Sequence, residues 1–156
     1  MFGSGAMTNS IREVGDAACI LAIGTNTTSG HPIIGLEVKR AVQNGAKLIV
    51  ANPKRIDLCR FATVWLRQKP GTDVALLMGI ARAIVDESLM DQDFIQERCD
   101  NFEAFKESLA GFNLETTERT TRVPPAHVRA AASASAPTST ALTPPRYGLP
   151  TTPPQP

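Results

Sequence analysis

The stretch CILAIG, residues 19–24, is a continuous apolar run that ends in a Gly-Thr-Asn turn. Such a run is typical of a central strand in a parallel sheet, because that strand is buried on both faces. A second apolar run, KLIVA at 47–51, follows an amphipathic helix predicted for 32–44. The order strand, helix, strand indicates a βαβ unit whose parallel strands are joined by a right-handed crossover.

Further patterns extend this unit toward the C-terminus. IDLCRF predicts one helical turn, and TVWLR alternates in the way of a half-buried third strand. The apolar segment VALLMGIARAIVDES predicts a long helix with Thr72 as its N-cap. The fold class is therefore α/β, a partial Rossmann-like parallel sheet with flanking helices.

Two shorter helices are predicted at 91–98 and 102–110, with Asp91 and Asn101 as their N-caps. The expected core contacts of these helices are Phe94, Ile95, Phe102, Phe105 and Leu109. Because three strands make a small sheet with free edges, we expect marginal stability and uncovered apolar helix faces at Leu76, Leu77 and Ile80.

The overall composition excludes several classes of protein. Among 156 residues, 16 Lys and Arg balance 15 Asp and Glu, so the basic surface of a nucleic-acid binder is missing. No apolar run reaches the roughly 18 residues of a membrane span, and the N-terminus lacks a leader pattern, so a cytoplasmic location is expected. Cys19, Cys59 and Cys99 have no metal-site spacing and are expected to be reduced packing residues.

The composition changes near the C-terminus. Nine of the twelve prolines lie in 124–156, and no acidic residue follows Glu118. We therefore divide the chain into a lead-in segment at 1–16, an α/β domain at 17–123 and a Pro/Ala/Thr-rich tail at 124–156. Residues 133–156 are expected to be disordered, because their apolar content is too low to offset the entropy of ordering.

Three turns are expected at one edge of the sheet. In open α/β sheets, ligands bind outside the carboxyl ends of the strands. The first turn runs from Gly24 to His31, and its hydroxyl and amide groups suit phosphate or ribose. The second is NPKR at 52–55, and the third is GTD at 71–73, where a carboxylate would accept from a base amino group. Together they predict a nucleotide site.

Each of these features also has a purely structural interpretation. A Gly-Thr-Asn turn forms without any ligand, and Thr72-Asp73 is equally typical of a helix cap. His31 is expected to position or cap a helix, since no second metal-ligating side chain lies at the required spacing. The sequence shows no nucleophile–base pair, no paired carboxylates and no metal cluster. On its own residues, the chain is expected to bind rather than to catalyse.

Five segments, taken in order, resemble a known family. GSGAMTNSIRE, ACILAIGTNTTSGHP, GAKLIVANPKRIDLCRFA, PGTDVALLMGIARAIVDE and DQDFIQERCDNFEAFKESL are similar to the catalytic alpha subunit of molybdenum-dependent formate dehydrogenase, in the molybdopterin oxidoreductase family. The resemblance covers about residues 2–123. It implies that the chain is an internal fragment of an α/β domain that holds molybdopterin guanine dinucleotide.

The resemblance also assigns residues to the cofactor. The segments that match its contacts contribute Ile23, Gly24, Thr25, Asn26, Thr27 and His31, then Asn52, Pro53, Lys54 and Arg55, and finally Gly71, Thr72 and Asp73. Family members often have Asp-Pro-Arg where this chain has Asn-Pro-Lys at 52–54, which removes Arg's forked donor, although Arg55 could compensate for it.

Other functional parts of the family do not match any segment of this chain. Family members carry a cysteine motif for a [4Fe-4S] cluster and a Cys or selenocysteine that ligates molybdenum, so no catalytic or metal-ligating residue is assigned here. The implied partners are the remaining parts of the alpha subunit and its electron-transfer subunits. The chain alone is expected to be inactive.

The tail departs from the resemblance after Arg122, where the family continues with a helix and a buried strand. We hypothesise a reading-frame shift in a GC-rich gene near that point, which translation of the other two frames would test. Two other interpretations remain open from sequence. One is a non-catalytic binding product, and the other is the middle domain of a thiamine-diphosphate enzyme, which predicts neither GAMTNS nor PGTD.

Overall fold

Three parallel strands form the sheet that the apolar runs predict. The computed structural model describes residues 10–136. In it β1 is Cys19–Ile23, β2 is Lys47–Ala51 and β3 is Val64–Leu66, in the spatial order β1-β2-β3. Ile23 is level with Ala51, and Ala51 is level with Leu66, so the three strands end together. The predicted partial α/β fold is confirmed.

One face of the sheet is covered by the crossover helix. The strands β1 and β2 are joined by α1 at Thr27–Gly30 and α2 at Pro32–Gln43, and a 3₁₀ helix at Asp57–Arg60 precedes β3. Val38 of α2 and Leu58 of the 3₁₀ helix pack against Leu48 and Val50 of β2. These contacts make the smaller of two hydrophobic cores.

The opposite face carries the larger core. The helix α3, Asp73–Asp86, packs here with α6 at Leu114–Thr121 and α7 at Pro125–Ser135. Leu76 and Ile80 of α3 are buried by these neighbours, so the prediction that they are uncovered is wrong. Leu77 remains exposed, as predicted.

The helix α7, Pro125–Ser135, extends into the segment 133–156 that was expected to be disordered, so that expectation is wrong for residues 133–135. Its alanine-rich face and Val128 are buried against β2 and β3. Composition was misleading because Pro124 and Pro125 stand at the start of this helix, where a missing backbone donor costs nothing. The rest of the predicted tail, residues 137–156, lies outside the described residues.

The strand β1 does not have the predicted central position. Within the described sheet β2 is central, with four of its five residues buried, whereas β1 lies at an edge and Leu21 is exposed. A run of apolar residues predicts burial on both faces but says nothing of how many neighbours a strand has. That number depends on segments distant in sequence.

Two short helices pack loosely. In α4, Gln92–Arg98, and α5, Phe102–Ser108, no residue is buried, and Phe94 and Phe105 are exposed. The prediction that these two phenylalanines are core contacts is therefore wrong, while Leu109 is fully buried as predicted. The Asp91 carboxylate caps α4 by accepting from the backbone N–H of Phe94. The cap predicted at Asn101 makes no side-chain hydrogen bond.

The described part of the lead-in segment is ordered. Ile11–Asp16 forms a 3₁₀ helix that packs on α2, and Ser10 and Glu13 form a capping box at its start. Gly15 is buried there, close to the Glu37 carboxylate of α2. This segment therefore belongs to the same packed unit as the sheet.

Candidate functional site

The three predicted turns follow the ends of adjacent parallel strands. Because β1, β2 and β3 end at the same level, the segments after Ile23, Ala51 and Leu66 leave the sheet on one side. We call this side, where the carboxyl ends of the strands lie, the carboxyl edge. Two hydrogen bonds hold this edge together. The Gly24 backbone N–H donates to the Ala51 carbonyl at 3.0 Å, and the Asn52 backbone N–H donates to the Leu66 carbonyl at 3.0 Å.

The first turn begins at Gly24. Its φ of 60° lies in the left-handed region, where a side chain would be strained, and open space surrounds the position that a Cβ would occupy. The Asn26 side chain donates to Ser29 Oγ at 3.2 Å, and the Asn26 carbonyl accepts from the Ser29 and Gly30 backbones. The turn is thus built by local hydrogen bonds and leaves an open approach beside its glycine.

Two threonines at the start of α1 have buried side-chain oxygens without partners. Thr27 is only 8% exposed, and neither its Oγ1 nor that of Thr28 makes a hydrogen bond. Leaving a buried hydroxyl unpaired costs about 1–3 kcal/mol. Thr28 lies within the first predicted turn, Gly24 to His31, but it was not among the residues assigned individually to the cofactor.

In the second turn, Asn52 connects the turns to one another. Its Nδ2 donates to the Thr25 carbonyl at 3.2 Å, and its Oδ1 accepts from the Lys54 backbone at 2.9 Å. The Asn52 carbonyl accepts from the Trp65 indole at 2.8 Å. These bonds give the Asn52 side chain a positioning role between the first and second turns.

The cationic part of the second turn is exposed. Lys54 and Arg55 lie at the surface, and Pro53 is partly buried between them and the sheet. Arg55 lines a cavity of about 270 Å³ together with Ile56, Asp57 and Arg60. The side chains of Lys54 and Arg55 are therefore accessible to an anionic ligand.

The third turn leads into α3. Gly71 has φ of 79°, and Thr72 occupies the N-cap position, but its hydroxyl donates to the Lys69 carbonyl at 2.6 Å. The prediction that Thr72 caps α3 through its side chain is therefore wrong. The hydroxyl closes the Lys69–Thr72 turn instead, which the sequence pattern did not distinguish from a cap.

A residue that sequence reasoning missed, Gln68, orients the acid of this turn. Gln68 is 2% exposed, and its Nε2 donates to Asp73 Oδ1 at 2.9 Å. Its Oε1 is buried without a partner. The usable signal was its spacing, because Gln68 continues the alternation of the buried Val64 and Leu66 beyond the end of β3.

His31 and Ile23 frame the first turn. His31 occupies the N-cap position of α2, but its side chain makes no cap hydrogen bond, so the capping role is wrong. Its carbonyl accepts from Gly35 of α2. Ile23, the last residue of β1, packs against the larger core, which leaves its backbone as the part nearest the turn.

Candidate groups for other chemistry are few. Among residues 10–136, no cluster of His, Cys, Asp and Glu has the arrangement of a metal site. All three cysteines are free, and burial raises the pKa of the Cys19 thiol, an effect opposed by its hydrogen bond with Ser135 and by Lys47. A raised pKa disfavours the thiolate, so Cys19 has the character of a packing residue. None of the described helices could span a bilayer.

The sheet and its turns first define a class of protein. Parallel strands with a crossover helix, glycine turns and helix N-termini at the carboxyl edge are the architecture of doubly wound α/β proteins that bind ligands at that edge. The family model for molybdopterin oxidoreductases matches residues 2–143. The chain belongs to the molybdopterin oxidoreductase family, which excludes the thiamine-diphosphate alternative.

Among curated proteins, the chain is similar to formate dehydrogenases. It is 43% identical over 114 residues to an F420-dependent formate dehydrogenase subunit alpha of Methanocaldococcus jannaschii, covering 73% of this chain and 17% of the relative. It is 35% identical over 130 residues to formate dehydrogenase H of Escherichia coli, covering 83% and 18%. The chain therefore spans less than a fifth of these relatives and corresponds to a fragment of them.

Among solved structures, acetylene hydratase from Pelobacter acetylenicus superimposes with a TM-score of 0.69. The sequence identity is 31%, and the match covers 78% of this chain and 18% of the hydratase. The family match continues through α7 to residue 143. The family match and the packed core both extend past Arg122, and the frame-shift hypothesis stays a prediction that translation of the other two frames tests.

Proposed function

We propose that this chain forms part of a binding site for molybdopterin guanine dinucleotide in an enzyme of the formate dehydrogenase type. The observation that carries the proposal is the pair of buried, unpaired hydroxyls on Thr27 and Thr28. We infer that a ligand phosphate or ribose oxygen supplies the partners that these two hydroxyls lack.

The residues at the carboxyl edge of the sheet suit molybdopterin guanine dinucleotide. Gly24 has open space beside it for a ligand to approach the backbone, and Lys54 and Arg55 offer exposed cations for phosphate. Asp73 offers a carboxylate for a base amino group. The proposed contacts are Ile23, Gly24, Thr25, Asn26, Thr27, His31, Asn52, Pro53, Lys54, Arg55, Gly71, Thr72 and Asp73, with Thr28 added from the structure.

In the intact enzyme, the bound group supplies the molybdenum at which formate is oxidised to carbon dioxide with release of two electrons and one proton. We assign to this chain only the binding and orientation of the cofactor. Asn52 holds the first and second turns in register, and the glycine turns keep backbone N–H groups accessible. No described residue is proposed as catalytic.

The remaining activity requires other parts of the protein. We assign the molybdenum ligand, the [4Fe-4S] cluster and the rest of the cofactor site to other segments of the alpha subunit, and electron transfer to partner subunits in the cytoplasm. The structural likeness to a hydratase favours this division, because a hydratase and a formate dehydrogenase both contain a segment similar to this chain. The alternative is a binding fragment that serves no chemistry.

The proposal is tested on the full 156-residue chain with guanosine diphosphate as a probe of the nucleotide half. Calorimetry should show saturable binding, and Thr27→Val should weaken it by about tenfold without loss of stability. Formate-dependent dye reduction by this chain alone should be absent. Absence of nucleotide binding, an unchanged affinity in the variant, or turnover by the chain alone would contradict the proposal.

A further inference from the structure

We infer that Gln68 is a positioning residue that makes the site selective for guanine, by fixing the carboxylate of Asp73 toward the exocyclic amino group of the base. This inference rests on the proposed function, since it concerns the base half of the same site. It goes beyond that proposal by naming the residue that sets base specificity.

The first step is the geometry of the third turn. Gln68 follows β3, and Asp73 is the first residue of α3, so the two flank the tight turn at Gly71. The 2.9 Å bond from Gln68 Nε2 to Asp73 Oδ1 spans that turn. It holds the carboxylate in one orientation and leaves Oδ2 as the acceptor that we assign to the ligand.

The second step is the orientation of the Gln68 amide. In the reverse orientation, the amide oxygen would face a carboxylate oxygen, and both groups would be acceptors. The observed orientation instead leaves Oε1 buried without a partner. A merely space-filling residue at this 2% exposed position would be apolar, as Val64 and Leu66 are. The polar side chain is therefore explained by the bond to Asp73.

The third step is the chemistry of the base. Guanine carries an amino group at carbon 2, which donates hydrogen bonds, whereas hypoxanthine is the same ring system without it. An oriented carboxylate that accepts from this group discriminates between the two bases, because a charged acceptor makes a stronger hydrogen bond than a neutral one. A carboxylate free to rotate would discriminate less.

The experiment compares guanosine diphosphate with inosine diphosphate, which differ only in that amino group. The full wild-type chain should bind the guanine nucleotide about tenfold more tightly. Gln68→Met, which keeps the length of the side chain and removes its donor, should lower this ratio by about threefold or more. Asp73→Asn should lower it as well. Circular dichroism should show each variant folded, and Gln68→Leu is the second choice if the methionine variant does not fold.

A matched control is Arg67→Met, which changes the exposed neighbour to the same residue. Both nucleotides carry the same phosphates, so loss of this charge should leave their ratio unchanged. If Gln68→Met leaves the ratio of the two affinities unchanged, including by an equal loss of affinity for both nucleotides, the role of Gln68 is overturned and the proposed function stands. Wild-type binding without discrimination would also overturn the role of Gln68, whereas failure to bind either nucleotide would overturn the proposed function too.

Discussion

Buried threonines occur in two regions of this molecule, and their hydrogen bonds differ. In α6, Thr121 Oγ1 donates to the Thr117 carbonyl at 2.7 Å and accepts from the Val123 backbone at 3.1 Å. At the carboxyl edge, Thr27 is also buried and Thr28 is partly buried, but the Oγ1 atom of each is buried without a partner. The first arrangement completes a core, while the second leaves hydrogen-bonding capacity that a ligand could use.

The same contrast extends to glycines. Gly79 of α3 lies so close to Thr117 that an added Cβ would fall inside the threonine side chain. Gly24 at the carboxyl edge has open space beside it. Close packing between α3 and α6 therefore marks the region that provides stability, and the open turns mark the region proposed to bind.

The largest effect is expected in the packed region. Val128→Asp would place an unpaired carboxylate in the core between α7 and the sheet, and should cost several kcal/mol and unfold the chain. Ala130→Asp is the control, since it adds the same group to the exposed side of the same helix. Far-ultraviolet circular dichroism during thermal melting measures both. Equal melting temperatures for the two variants would contradict the observed placement of α7.

A smaller effect is expected where α3 meets α6. Gly79→Ala should lower the free energy of unfolding by about 1–3 kcal/mol, because the added methyl group forces the two helices apart. Gly111→Ala is the matched control, since nothing lies within 4 Å of the point where its added methyl group would stand. Urea denaturation distinguishes the two, and an equal stability of both variants would show that the helices do not pack closely at this point.

The smallest effect tests the threonines directly. Thr121→Val should lower the free energy of unfolding by about 1–2 kcal/mol, because it removes two hydrogen bonds and leaves the buried Val123 N–H unpaired. Thr27→Val makes the same chemical change where no bond exists, and should cause no loss. Urea denaturation of both variants provides the measurement. A similar loss at Thr27 would show that its hydroxyl has a structural partner.

Much of the fold could be predicted from local sequence. The apolar runs at 19–24 and 47–51 and the amphipathic pattern at 32–44 place β1, α2 and β2 within a residue of their observed bounds. These predictions succeeded because strand and helix periodicity are local properties. The loose packing of α4 and the order of α7 could not be predicted in this way, because each depends on what the helix meets in space.

The candidate site, like the fold, could be predicted only in part from sequence. Polar turns after parallel strands could be predicted, since the carboxyl ends of such strands lie at one edge. The individual roles of residues within the turns could not. Asn52 connects two turns, the Thr72 hydroxyl closes a turn instead of capping α3, and Gln68 donates to Asp73 across Gly71. Each of these roles depends on hydrogen-bond geometry that residue type does not specify.

The sequence by itself determined the strand and helix types, the parallel crossover and the resemblance to molybdopterin oxidoreductases, because these follow from residue order and periodicity. Only the tertiary structure decided that β1 lies at an edge, that α7 closes the larger core, and which buried hydroxyls lack partners. The physical reason is that burial and hydrogen-bond satisfaction are properties of neighbours in space, and those neighbours come from segments far apart in the chain.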